Sequence, residues 1–291
     1  MTDLKNILVN YWWAFVFAFI LVMALMITIG NSKMNRRVAD ETEVLMRTTE
    51  NEQEERFAVI EEKDLEGLPE SVKKWLTSIG VIGQEKIQKV NLSQRGKMKL
   101  DPNQEKWIEP TAKQYIRVDK PGYLWYVDLP MIPMINTKGR DLFYEGEGSM
   151  VIRIGSVIPV VNVAGNHKIN ESSLHRFLLE LPWYPTAALE DYMSWEEIDH
   201  LTARGILSYK GMQVEALFFF QEDGTLFRQE AQRYKENDED AKRLPCIGEI
   251  KSHIMVEGLR IPSRTDVTWI IDGKPFTWYQ LENYDIYFER G

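Results

Sequence analysis

The chain has 291 residues, a formal net charge of −9 and a single cysteine, Cys246. An acidic balance repels phosphate backbones and argues against a nucleic-acid partner, and one cysteine excludes both an internal disulfide and a cysteine-built zinc site. With 9 Trp, 12 Tyr and 12 Phe, the chain is too aromatic to be disordered and is biased toward strands.

No residue from Asn6 to Ser32 is charged. The apolar run Tyr11–Gly30 meets the roughly 20 residues that a helix needs to cross a bilayer and exceeds the roughly 7–15 of a signal-peptide core. Tyr11, Trp12 and Trp13 suit a membrane interface. The alternative, a buried helix of a soluble protein, is disfavoured because the run lacks a polar face. Residues 1–37 are therefore expected to be an anchor with its flanks, making this a single-pass protein of the cell membrane, with the bilayer as its partner. Lys5 precedes the run, offset by Asp3, whereas Lys33, Arg36 and Arg37 follow it; the positive-inside rule tilts the domain toward the cytoplasm by this small margin.

Residues 38–66 are rich in acids, and the apolar positions Val44, Leu45, Met46, Phe57 and Ile60 do not sustain heptads. This stretch is expected to be a solvated helix or flexible spacer rather than a coiled coil.

The remainder, 67–291, is expected to be one soluble β-rich domain. Pro69 opens a short helix whose Val72, Trp75, Leu76 and Ile79 share a face, and Gly80 and Gly83 end it. Strand patterns follow at 85–99, 107–118, 123–129, 140–145, 148–155 and 157–163, with a short apolar run at 131–136. Asn170 to Ser173 supply caps for a helix carrying Leu174, Phe177, Leu178 and Leu181 on one side. Pro182 and Pro185 break it, and a second short helix is expected over Thr186–Tyr192. Strands resume at 203–210, 212–221, 225–235, 247–257, 260–271 and 276–289, with turns at Gly211, Asp223-Gly224, Gly258 and Asp272-Gly273. Residues 235–244 read as a charged loop. Hairpin-length connections imply antiparallel pairing, and about ten strands curl rather than stay flat. The fold class is mainly β with a helical insertion (α+β): a large curved antiparallel sheet or open half-barrel, a helical lid and one N-terminal transmembrane helix.

Residues 67–289 resemble a bacterial membrane-anchored family, a domain of unknown function. The stretches that carry the resemblance are Leu68-Pro69 with Trp75-Leu76 and Gly80-Val81-Ile82-Gly83, Gln94 to Met98, Trp107 with Ala112 and Gln114-Tyr115, Gly139-Arg140-Asp141, Gly146 to Met150, Leu174 to Leu178 with Glu180 and Trp183-Tyr184-Pro185, Trp195, Arg233-Tyr234, and Ile261-Pro262 with Trp269. The plan of strands, helix and strands also resembles lipoprotein-carrier half-barrels. That likeness implies a lipid-binding fold and a domain outside the inner membrane, against the charge bias.

No nucleophile elbow, phosphate-binding loop or zinc-protease motif is present. Gly146-Glu147-Gly148 reads as a turn between strands. His167, His175, His200 and His253 lack ligand spacing, so neither a metal nor a cofactor is expected. The most suggestive polar set is Arg140, Asp141, Arg176, Glu180 and Asp199. Arg176 and Glu180, four apart on a helix, can pair. Charges so close to apolar positions form either a structural network or a ligand contact. Trp125, Tyr126, Trp183, Tyr184, Trp195, Trp269 and Trp278 are core or the lining of a cleft. The reading adopted is a membrane-tethered domain binding a lipid or other apolar ligand, without catalysis, through Arg140, Asp141, Arg176, Glu180, Trp183 and Trp195. The alternatives are a membrane-proximal enzyme using a carboxylate, and a ligand-free scaffold.

Overall fold

The structure, a computed structural model, describes residues 2–47, 59–132 and 135–290. Helix α1 spans Thr2–Met46 and α2 spans Glu70–Ser78. Six strands follow: β1 (Ile87–Met98), β2 (Thr111–Arg117), β3 (Gly122–Ile132), β4 (Ile135–Tyr144), β5 (Glu147–Ile154) and β6 (Ile158–Ala164). Helix α3 (His167–Glu180) and two 3₁₀ turns, Leu181–Trp183 and Pro185–Leu189, form the insertion. Seven strands complete the chain: β7 (Met193–Asp199), β8 (Thr202–Tyr209), β9 (Met212–Phe220), β10 (Leu226–Tyr234), β11 (Arg243–Val256), β12 (Leu259–Ile271) and β13 (Lys274–Arg290).

All thirteen strands join one antiparallel sheet, ordered β6-β5-β4-β3-β2-β1-β13-β12-β11-β10-β9-β8-β7, curled into a half-barrel. Turn chemistry drives the meander. At Glu145-Gly146, Gly155-Ser156, Lys210-Gly211, Glu257-Gly258 and Asp272-Gly273 both residues have positive φ, as a type I′ hairpin demands. The first of these is one residue earlier than the Gly146-Glu147-Gly148 turn expected from sequence. The sheet has more strands than expected. The additional one with no sequence signal is β7, an edge strand whose Glu196, Glu197, Ile198 and Asp199 are all exposed.

The two edge strands, β6 and β7, are consecutive in the chain and linked only by the insertion. Helix α3 therefore crosses the concave side and packs on both arms, against β4 and β5 of one and β8, β9 and β10 of the other. A β-carbon at Gly148 would lie 2.6 Å from Ser173 Oγ and 2.8 Å from the Ile169 carbonyl, so glycine there lets the helix approach the sheet. The helix starts earlier than expected. Asn166 caps it by accepting from Ile169 N, at 2.9 Å, while Asn170 accepts from Gly148 N. Pro182 and Pro185 break the helix as expected, and each stands in the first turn of a 3₁₀ segment; the second short helix expected over Thr186–Tyr192 is the 3₁₀ turn Pro185–Leu189. Val72, Trp75, Leu76, Phe177, Leu178, Tyr184 and Phe218 fill the concavity with one continuous core. Helix α2 ends in a Schellman motif: Gly80 takes φ 86°, Val81 N donates to Leu76 O and Gly80 N to Thr77 O.

The acidic stretch 38–66 is not a detached spacer where it is described. Helix α1 runs unbroken to Met46, and Met34, Val38 and Leu45 are buried. Val38 and Leu45 pack on Leu124 of the convex face. Farther on, Ile60 and Leu65 belong to the domain core. The spacing of residues 34, 38, 41 and 45 is the stripe of a helix with one docked side; surplus acids on the other side hide it in a compositional reading. Phe57 lies outside the described residues. Toward its N-terminus, α1 is long and apolar enough to cross a membrane.

Candidate functional site

Successive residues of a strand point to opposite faces. Arg140 and Asp141, neighbours on β4, are therefore parted by the sheet: Arg140 lies opposite Tyr126, and Asp141 opposite Trp125. Each anchors a cluster, one on the convex face and one on the concave.

On the convex face the Arg140 guanidinium is 2 % exposed. It donates to Glu41 Oε1 of α1 at 2.6 Å, and to Ser149 O and Oγ at 3.0 and 2.6 Å. Arg37 shares the same Glu41 oxygen, at 2.9 Å. Tyr126 donates to Asn35 Oδ1, and Ser156 to Asn31 Oδ1. Arg117 donates to the Leu45 and Arg47 carbonyls, capping the end of α1. This cluster fastens the N-terminal helix to the domain.

On the concave face Arg176 of α3 donates through Nη1 to Asp141 Oδ2 at 2.8 Å and through Nε to Glu180 Oε1 at 2.7 Å. Gln114 Nε2 donates to the other Glu180 oxygen at 2.6 Å and its Oε1 accepts from Arg176 at 3.3 Å. The guanidinium lies 4.8 Å from the Tyr123 ring centre and 5.0 Å from that of Trp125, within cation–π range of both. From Trp125 the network continues: its indole donates to Gln94 Oε1 at 2.7 Å, and Gln94 donates to Asn283 Oδ1 at 2.9 Å. The sequence thus places polar residues at inward positions of β1, β2, β4 and β13, and α3 brings the cation to them.

Burial pushes the Glu180 carboxyl above its ordinary range, against the pull of Arg176 and Gln114. Burial, with the Asp141 charge beside it, pushes the Tyr123 phenol well up. Tyr279, also pushed up by burial, feels the Arg176 and Glu180 charges. Asp141 Oδ1, the Tyr279 hydroxyl and Asn283 Nδ2 are buried with no partner among the described residues. A fixed cation, an acceptor and two donors thus share the base of the concavity, walled by aromatic rings.

Of the residues expected from sequence, Asp141, Arg176 and Glu180 come together. Arg140 belongs to the opposite face. Trp183 and Trp195 pack elsewhere in the core. Trp195 donates to Ala188 O and meets Trp75 and Phe218 edge-on. Asp199 sits on exposed β7, where its carboxylate, held low by the Leu201 backbone N–H, serves a turn. Tyr123, Tyr279 and Asn283 join the cluster without having been singled out, and Gln94 and Gln114, noted only among the stretches that carry the family resemblance, join it as well. Their signal was available: polar residues recurring on the inward parity of otherwise apolar strands. An open groove of about 550 Å³, lined by Glu70, Lys73, Thr77, His200 and Gln221, touches none of the cluster.

No curated protein is similar to the chain in sequence. A family model described as a family of unknown function, DUF6920, matches residues 66–288, which include every member of both clusters except Arg47 and the residues of α1; the chain belongs to that family.

Proposed function

We propose that the protein is a membrane-anchored binding module that holds an amphiphile, a lipid or a similar apolar molecule with a polar head, between the half-barrel and its helical insertion. The observation that carries this reading is the concave cluster. A guanidinium lies over two aromatic rings at the base of a curled sheet, with Asp141 Oδ1, Tyr279 OH and Asn283 Nδ2 unpartnered among the described residues. Buried polar groups without partners are costly, and a ligand head group that engages them recovers that cost. The rings and the α3 side chains offer apolar area worth about 25 cal/mol per Å² removed from water, less the cost of association. Entry requires α3 and the 3₁₀ turns to lift, since these elements now fill the concavity. The likeness to lipoprotein carriers belongs to this reading, as does a location at the cell membrane.

A ligand-free scaffold is the second reading, favoured by the close packing of Trp75, Trp195, Phe218 and Phe220. Native mass spectrometry of the full chain, released gently from its own membrane, decides between them. Binding predicts an adduct of lipid mass that declines in Tyr279→Phe and Asn283→Ala, two substitutions that leave the Arg176 ion pairs intact. A bare chain, under conditions in which a known lipid carrier keeps its cargo, would leave the scaffold.

A further inference from the structure

We infer that the protein has a second membrane contact: the tip of the β5–β6 hairpin and the neighbouring ends of β3 and β4 dip into the same leaflet from which α1 emerges. This rests on reading α1 as the membrane anchor in the proposed function. The geometry comes from the packing of the β5–β6 turn on α1 inside the apolar run. A β-carbon at Gly30 would lie 2.8 Å from the Ser156 carbonyl, and one at Gly155 would lie 3.3 Å from Ile27 and 3.4 Å from Ile135. Ser156 also donates to Asn31 Oδ1 at 2.6 Å. The tip is thus pinned at the level of Ile27–Asn31. A helix rises about 1.5 Å per residue, which sets Ile27 about 5 Å inward of Gly30. With Tyr11–Gly30 spanning the hydrocarbon, the turn lies at its boundary.

The side chains at that level suit lipid rather than water. Ile158 is 56 % exposed and Met131 45 %. Behind the tips stand basic side chains: Arg153 faces Lys138, itself paired with Asp128 at 3.5 Å, on β5 and β4, and Lys33 and Arg36, with Arg37 paired to Glu41, follow the apolar run of α1. Strands rise about 3.3 Å per residue, so Lys138 and Arg153 sit about 7–10 Å behind Ile135 and Gly155, at the depth of lipid phosphates when the tips reach the acyl chains. Strand β6 is also a sheet edge, and an apolar edge exposed to water invites aggregation; a bilayer covering its first residues removes that exposure. The free backbone groups of the edge limit the depth, because hydrocarbon does not satisfy them. Insertion is therefore shallow and confined to the tips.

The test uses the full chain in phosphatidylcholine–phosphatidylglycerol vesicles. An environment-sensitive fluorophore is placed on a cysteine introduced at one of three positions: Phe19 in α1, Ile158 at the tip, or Asp240 in the β10–β11 loop. The unsubstituted chain controls for labelling of buried Cys246. Lipids brominated along the acyl chain then report contact. We expect loss of emission at Phe19→Cys and Ile158→Cys and none at Asp240→Cys. Quenching at Phe19→Cys without quenching at Ile158→Cys would overturn the second contact and leave the anchor standing. No quenching at Phe19→Cys would remove the anchor, and this inference with it.

Discussion

The two faces of the half-barrel carry the same device in two settings. Each holds an arginine that ties a helix to the sheet: Arg140, buried, binds Glu41 of α1 outside, and Arg176 of α3, 16 % exposed, binds Asp141 inside. The outer pair fastens a helix at one end and leaves Glu41 at 20 % exposure, so solvent screens it. The inner cluster joins two buried carboxylates, a buried amide and two aromatic rings around one guanidinium, so that each charge depends on the others. An interior cluster of this kind costs more to break and contributes chemistry that the outer pair lacks.

The sharpest way to break the comparison is Arg176→Met. It leaves Asp141 and Glu180 buried without their cation, and a loss of roughly 3–5 kcal/mol is expected. Adding Asp141→Asn and Glu180→Gln should recover part of the loss, and strictly additive effects in a thermal-melt cycle would show that the three do not act together. Arg140→Met should cost less, about 2–3 kcal/mol for hydrogen bonds to a charged group. Its effect should be local: amide exchange should rise over residues 38–46 and stay unchanged in α3. A rise in both would mean that the two faces are coupled.

A third test uses acid. His175 of α3 is buried, and its pKa is lowered to about 4 by burial first and then by the Arg233 charge, with Arg243 adding to it and Glu171 opposing. The unfolded chain takes up this proton near pH 6.5 and the folded chain only near 4, so stability falls as pH drops through that interval. The fall is on the order of 2–3 kcal/mol. Glu180, raised by burial, acts in the opposite sense, losing stabilisation as pH rises through its folded pKa. The difference between the parent chain and His175→Gln isolates the histidine, and equal pH profiles would refute its assignment. The smallest effect belongs to Asp199→Ala, on an exposed edge away from both clusters, expected within about 0.5 kcal/mol; a large loss would return Asp199 to the site.

Features written within a few residues were legible from sequence. Hairpin turns announced themselves through glycine, and Arg176–Glu180 through its spacing of four. The separation of Arg140 from Asp141 was also implicit, since alternation sends neighbours to opposite faces; adjacency in the chain obscured it. Long-range partners were not legible. Gln94 meets Asn283, and Arg140 meets Glu41, across nearly two hundred and one hundred residues of chain. No local pattern marks such partners. Strand β7 escaped because an exposed edge needs no apolar alternation, and the docked side of α1 because acids outnumber the apolar residues around it.

The strand order has a consequence for synthesis. Strand β1 pairs with β13 at the middle of the sheet, while the sheet's two edges lie midway along the chain. On the ribosome, β1 to β6 can zip as successive hairpins soon after they emerge. The other flank of β1 must wait until β13 is translated, and domains of this size are vulnerable during such delays. Until then β1 is an open edge, available to any extended chain nearby. The central seam of the finished domain is thus its last to close, and nascent-chain stalling before Lys274 should trap a form that captures added β-strands and turns over faster than the completed protein.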